Sequence, residues 1–415
     1  MKKLNIKKKN ELLIFLNKSL IINQKFNIIF IKIFIFTTFF YIDFSVLNIN
    51  NFYTLNELYW KDERIDINRT KKEISSYENC IECYNRNKFF YEFKNPKISL
   101  IIPVYNQEKY LIPFYCSVLN QSLYNIEIIF IDDASTDNSS KIIKNFIKKD
   151  KRIIYLKNDI NKRTYYSRKK GILKAKGEYL LVIDPDDLLV NNILEKLYKT
   201  AKFHNLDILQ YYIIYGNYTH NKIWNKLKCK SGIIYYPRVK DIFYKCKTRN
   251  LCDKLVKREI FIKSIKYMGE KYDYDRFEIN DDDFAIYGLI KIAKSYGFLE
   301  QIGYFYYTYN PNSTIHQVFN EKNTNIIFHS LFTIMKYYFE ESKNNRREKK
   351  LIAFTYFYEK VFLLFKNRIK YLTDGFDYIN KVLEQYINCK YLKNEDKKLL
   401  KIFLKEVKEI QFYKK

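Results

Sequence analysis

Ile126-Glu-Ile-Ile-Phe-Ile-Asp-Asp133 and Tyr179-Leu-Leu-Val-Ile-Asp-Pro-Asp-Asp187 each run a short apolar stretch directly into a group of carboxylates. Apolar runs of this length read as strands buried on both faces. Open α/β sheets bind ligands outside the carboxyl ends of their strands. A third acidic group, Asn280-Asp-Asp-Asp283, lies about a hundred residues further on. Like charges gathered at one edge repel unless a cation or a donor-rich ligand compensates them. In a chain of net charge +28, three such groups point to a divalent metal with a phosphorylated, base-bearing ligand.

Outward from these stretches the alternation continues. Ile98–Val104 is an earlier buried strand, and Leu111, Tyr115 and Val118 recur at helical spacing behind it. Ile142, Ile143, Phe146 and Ile147 mark a second helix, followed by a strand at Ile153–Leu156 and a helix over 164–175. A helix over 192–204 and a strand over 207–214 complete the series. Strands alternating with helices predict a mainly parallel, Rossmann-like sheet with right-handed crossovers. The alternation breaks from about residue 216. Residues 321–415 are rich in Lys and Glu, with apolar residues at helical spacing, as at Phe357, Val361, Leu364 and Phe365. They read as a helical carboxyl-terminal region.

The 415 residues are 47% hydrophobic, enough for a sizeable core and against global disorder. Lysines are distributed along the chain, and no nucleic-acid motif accompanies them, so no nucleic-acid partner is expected. Of seven cysteines only Cys80 and Cys83 have metal-like spacing, and no second pair completes a four-ligand site. The basic segment 1–25 precedes Phe26–Leu47, which as a helix would span roughly 33 Å, enough for a bilayer. The run contains Lys32, whose cost snorkelling reduces. A single-pass membrane anchor with a cytoplasmic amino terminus is expected, which in a eukaryote would mean the Golgi or endoplasmic reticulum.

Four blocks in order carry a resemblance. Lys97-Ile-Ser-Leu-Ile-Ile-Pro-Val-Tyr-Asn106 leads to Asp132-Asp-Ala-Ser-Thr-Asp137. Ser167-Arg-Lys-Lys-Gly171 leads to Ile183-Asp-Pro-Asp-Asp187, and Asn280-Asp-Asp-Asp-Phe284 follows. Over about residues 97–315 the chain resembles glycosyltransferase family 2, with the GT-A fold.

The resemblance implies an inverting transferase that moves a sugar from a nucleotide diphosphate sugar, most often a UDP-sugar, to an acceptor hydroxyl on a glycan, lipid or protein. It implies a donor site of Pro103, Tyr105, Asp132, Asp133, Arg168 and Asp184. Tyr105 would stack on the base, Asp133 would accept its ring N–H, and Asp184 would lie near the ribose. Arg168 would contact the diphosphate or tie its helix to the acidic loop. Asp186 would hold Mn²⁺ or Mg²⁺, hard cations that take oxygen ligands. Asp282 would be the general base, with Asp281 and Asp283 as neighbours that position it.

Asp137 and Asp187 read as helix-capping or orienting residues, and His316 as a surface residue. Three positions depart from the family pattern. Lys169 stands where Asn is common, Arg163 where Gly is common, and Thr308 where a basic residue is common. The expected organisation is anchor (1–47), stem (48–96), donor-binding half (97–215), acceptor-side half (216–320) and helical carboxyl-terminal region (321–415). Two rivals are a scaffold that kept the fold without turnover, and a nucleotidyltransferase. The second lacks its Gly-rich phosphate loop, since Tyr105-Asn-Gln-Glu108 follows the first strand.

Overall fold

The computed structural model describes residues 94–216, 232–235, 250–269, 281–311, 324–342, 375–388 and 394–414, with single positions 70, 72, 76, 239 and 313. Phe26–Leu47, Cys80, Cys83, His316 and the 357–365 stripe lie outside them. Among the described residues no helix is long and apolar enough to cross a membrane.

Residues 97–215 follow the expected alternation. Strand β1 is Ile98–Val104, followed by α1 (Leu111–Leu119), β2 (Ile126–Asp132), α2 (Ser139–Lys149) and β3 (Ile153–Lys157). Then come α3 (Arg163–Lys174), β4 (Tyr179–Val182), the two-residue β5 (Leu188–Leu189), α4 (Ile193–Phe203) and β6 (Ile208–Gly216). Beyond it are β7 (Gly232–Tyr235), β8 (Lys254–Lys257), α5 (Arg258–Met268), α6 (Asp281–Ile292) and β9 (Ser295–Tyr307). Helices α7 (Thr324–Glu341), α8 (Phe376–Ile387) and α9 (Asn394–Lys414) confirm helical structure in the carboxyl-terminal region.

The strands form one sheet in the order β3-β2-β1-β4-β8-β6-β9-β5, with β7 also on β9. The block β3-β2-β1-β4 is parallel throughout. The expectation of a mainly parallel sheet needs correction for the remainder: β8 runs antiparallel to both β4 and β6, and β5 and β7 run antiparallel to β9. The sheet is mixed. The chain moves outward from β1 to β3 and then returns to β4 on the other side of β1. That reversal opens a crevice at the carboxyl ends of β1 and β4, where such sheets bind ligands.

Strand periodicity divides the core between the two faces. Leu100, Ile102, Ile128 and Phe130 pack with α1, α2 and α4, whereas Ile101, Ile129 and Ile131 pack with α3, α5 and α6. Helices α7–α9 extend the second layer through Phe328, Leu331, Leu383 and Phe403. Helix α3 lies unusually close to the sheet. A Cβ on Gly171 would come within 2.6 Å of Ile131 Cδ1 and 2.8 Å of Ile101 Cγ2. Both isoleucines are fully buried and have no room to retreat. Gly171→Val should therefore lower unfolding free energy by about 2–3 kcal/mol through overpacking, measured by urea denaturation. Unchanged stability would mean that α3 can lift without cost.

Candidate active site

At the end of β4 the chain turns tightly through Asp184-Pro-Asp-Asp187, with Asp187 N–H donating to the Asp184 carbonyl at 3.2 Å. Strand β9 holds this turn in place. The buried Tyr304 hydroxyl accepts from Asp184 N–H at 3.1 Å and donates to Asp187 Oδ2 at 2.6 Å. The other Asp187 oxygen accepts Tyr307 N–H at 2.8 Å. Asp187 is thus an orienting residue, as expected. Burial first, then Asp186 and Asp184, push its carboxyl well above the usual range. Asp186 accepts from Asn310 Nδ2 at 2.8 Å. Burial, then Asp184, raises its pKa to about 6. A carboxylate raised in this way favours an added cation.

Arg168, buried on α3, gathers the second acidic group. Its Nη2 donates to Asp184 Oδ1 at 2.8 Å, and its Nη1 donates to Asp281 Oδ2 at 2.8 Å and to Asp282 Oδ1. Burial pulls the guanidinium pKa down, but Asp282, Asp184 and Asp281 more than reverse it. The structure therefore realises the tying role for Arg168. The acids occupy the first turn of α6, where the helix dipole favours negative charge.

Within that turn the three carboxylates differ. Asp283 is buried. The Asp281 side chain is 17% exposed and lines a small cavity with Phe261, Met268 and Ala285. Burial raises its pKa to about 7, with Arg168 pulling the other way. Asp282 is the most accessible, at 29%, and its second oxygen accepts Leu251 N–H at 3.1 Å.

Asp132 and Asp133 lie at the end of β2, as expected, but their oxygens are engaged by the protein. Asp132 is fully buried and accepts from Ser140 Oγ, from Tyr155 OH at 2.6 Å and from Ser135 N–H at 2.8 Å. Those bonds outweigh burial and hold its pKa below the usual value. Asp133 accepts from Asn158 Nδ2 and from the N–H groups of Lys162 and Arg163, at 2.7–2.8 Å. Both carboxylates frame the loop that closes this side of the crevice. Pro103 is buried inside β1, in register with Ile131. Tyr105 is 45% exposed just past it and free of the core. Asp137 accepts from Ser139 N–H at 2.9 Å and from Glu108 N–H at 3.0 Å, so it orients the start of α2 and laces the two loops together.

The sequence analysis did not single out Asn310 or Tyr304. It also missed an aromatic shelf beside Asp186. Tyr110 and Tyr307 have ring centroids 5.8 Å apart, and Tyr307 and Tyr309 are 6.4 Å apart. The signal available was Tyr306-Tyr307 just before Asn310-Pro-Asn-Ser313. Among the described residues no group of three or more His, Cys, Asp or Glu is arranged to enclose a metal by itself.

Comparison with known proteins agrees with this fold. The family model described as glycosyl transferase family 2 matches residues 99–264. An uncharacterized glycosyltransferase of Methanocaldococcus jannaschii is 31% identical over 204 residues, 47% of this chain and 69% of that protein. One from Haemophilus influenzae is 48% identical over 101 residues, 24% of this chain and 40% of that protein. Among solved structures, TarS 1–349 of S. aureus in complex with UDP-GlcNAc superposes with a TM-score of 0.55 at 18% identity, over 77% of this chain and 89% of that one. Sheet, crevice and acidic turn define a GT-A-like fold. The chain belongs to glycosyltransferase family 2.

One departure from the family pattern has a structural signature. Arg163, where Gly is common, has φ +71°, in the left-handed region that Gly occupies without a Cβ penalty. Arg163→Gly should raise stability by about 1 kcal/mol and Arg163→Val should lower it, compared by thermal melts. A stabilising Val would show that the backbone there is unstrained.

Proposed function

We propose that the protein is a metal-dependent, inverting glycosyltransferase that takes a nucleotide diphosphate sugar, with UDP-sugars first in line, and an acceptor hydroxyl. One observation carries this reading: a single buried guanidinium joins the Asp184–Asp187 turn at the strand-end crevice to the acids of α6. This supports a donor site at the turn beside an acceptor site at α6. The TarS complex with UDP-GlcNAc supports a uridine donor, and exposed Tyr105 offers a ring for its base.

The donor set fits a hard cation. Asp184, Asp281 and Asp282 contact one guanidinium, and Asp186 and Asp187 lie in the adjoining turn, so carboxylates outnumber the positive group. Mg²⁺ and Mn²⁺ are commonly held by one or two carboxylates together with substrate phosphates. Asp186 would be the protein ligand, fixed by Asn310. The cation would supply Lewis-acid stabilisation of charge on the departing diphosphate.

The remaining work falls to side chains. Asp282 takes the proton of the acceptor hydroxyl as that oxygen bonds to the anomeric carbon. The bond from that carbon to the diphosphate oxygen breaks, its electron pair leaves with the diphosphate, and the configuration inverts. Arg168 and Leu251 N–H fix the Asp282 carboxylate in direction while it stays accessible. Asp281, with its raised pKa, is the alternative base, but it lines the cavity behind Arg168.

Two variants test this. Asp186→Asn should abolish Mn²⁺-dependent UDP binding by calorimetry and leave the fold intact, because a partly exposed site residue contributes little to stability. Undiminished metal-dependent binding would remove the metal assignment. Asp282→Asn should lower transfer by two or more powers of ten, roughly, with donor affinity little changed. If Asp281→Asn alone loses transfer, the base is Asp281. Full transfer in both variants would make the acidic turn of α6 structural.

A further inference from the structure

Lys254 opens strand β8 and is only 1% exposed, as is Asp253 beside it. A lysine–carboxylate pair buried this deeply adds little stability over an apolar pair, because its attraction mainly repays lost hydration. Leu255 and Val256, next in the strand, are apolar and fully buried, and side chains of that kind would pack β8 equally well. The hydrogen bonds of Lys254 point to another task. Its Nζ donates to Asp253 Oδ1 and to the Asn250 carbonyl, the latter at 2.6 Å. The second Asp253 oxygen accepts from Gln210 Nε2 at 2.7 Å, and Gln210 Oε1 accepts from Tyr296 OH at 2.8 Å. Gln210 and Tyr296 are fully buried on β6 and β9. The ammonium is thereby anchored to the middle of the sheet.

The loop over 250–253 is held through each of its carbonyls. Asn250 O accepts from Lys254 Nζ, and Leu251 O accepts Lys254 N–H at 3.2 Å. Cys252 O accepts Tyr211 OH at 2.6 Å, and Asp253 O accepts Tyr211 N–H at 3.1 Å. The peptide between Asn250 and Leu251 matters most. In a trans peptide the carbonyl and the N–H lie in one plane and point in opposite directions. Lys254 takes the carbonyl of this peptide, and the N–H on its far side donates to Asp282 Oδ2 at 3.1 Å. The other Asp282 oxygen accepts from Arg168 Nη1. Asp282 is therefore gripped by a guanidinium and by a peptide whose orientation Lys254 sets.

We infer that Lys254 is a positioning residue for the base: through the Asn250–Leu251 peptide it aims the N–H that fixes Asp282 Oδ2, and so keeps the carboxylate directed at the acceptor hydroxyl. Its catalytic consequence rests on Asp282 being the base, whereas the aiming of the peptide does not.

The aiming is tested by hydrogen exchange of the Leu251 amide, read by NMR on the full chain with isotope-labelled leucine. Lys254→Met should speed that exchange about tenfold or more, and Lys263→Met, at an exposed position of α5, should leave it unchanged. The consequence is tested with UDP-GlcNAc as the donor probe and Mn²⁺ present. Lys254→Met should lower kcat for UDP release by about ten- to a hundredfold, with KM for UDP-GlcNAc held within about twofold. In the Asp282→Asn background the same substitution should slow nothing further, because it acts only through that carboxylate. Since Lys254→Met strips a buried carboxylate of its cation, Asp253→Leu/Lys254→Met is the second variant. It should melt above Lys254→Met and still lack both kcat and Leu251 protection. Protection that survives in both variants overturns the aiming role. Recovery of kcat along with stability in the double variant, or a further loss in the Asp282→Asn background, reduces Lys254 to a structural residue. Full UDP release by Asp282→Asn overturns the base and the catalytic consequence together, while the exchange result still decides the aiming.

Discussion

Arg168 is the group on which the site is built. Its partners lie 16, 113 and 114 residues away in the chain, and each is a carboxylate that would otherwise repel the others. A buried guanidinium can repay its desolvation only with good geometry and several acceptors, and here both nitrogens of its fork are used. Removing one member of such a set leaves charge uncompensated, a loss of about 3–5 kcal/mol in buried pairs. One positive group among five neighbouring carboxylates still leaves an excess of negative charge. Burial first, and neighbouring carboxylates after it, raise the pKa values of Asp186, Asp187 and Asp281.

The clamp has two supports. On one side Gly171 lets α3 settle onto β1 and β2, which brings Arg168, one turn earlier, to the strand ends. On the other, α6 is held from behind by the carboxyl-terminal helices. Tyr338 OH donates to the Asp283 carbonyl at 2.6 Å, its ring lies 4.4 Å from that of Tyr287, and Tyr337 OH contacts Met268 Sδ at 3.2 Å. Tyr386 OH in turn donates to the Met335 carbonyl at 2.6 Å, so α8 braces α7. The carboxyl-terminal helices therefore back the helix whose first turn carries the acids, and they hold those acids against Arg168.

Every element from β1 to β6 was legible except the two-residue β5, because each combines one hydrophobic period with a nearby turn or acidic stop. Legibility fails where structure depends on distant partners. β9 is a 13-residue strand that pairs with β6, β5 and β7, and its aromatics are indistinct in a chain with 40 Tyr and 33 Phe. Tyr304 could not be singled out there, although it joins Asp184 to Asp187. The antiparallel β8 is four residues long and inserts between β4 and β6, which local alternation cannot signal. At the site, the acidic groups were visible as excess charge, but which acid meets which base was not. Arg163 was visible only as a departure, and its positive φ supplies the reason that Gly is common there.

Asp132 and Asp133 stand at the strand end where they were expected, with their oxygens bonded to groups of the protein itself. A carboxylate at a strand end can face a ligand or can organise the loops that face it. The neighbours decide which. Around Asp132 a serine, a tyrosine and a backbone N–H converge; around Asp133 an asparagine and two successive N–H groups do the same. Buried acceptors satisfied in this way are costly to disturb, so they fix the loop over 158–163 relative to β1 and β2. The side chains left accessible, Tyr105, Asp184, Asp186 and Asp282, come from the ends of β1 and β4 and from α6. The buried acidic pair thus holds the loops that flank the crevice, and the more accessible groups stand at its mouth.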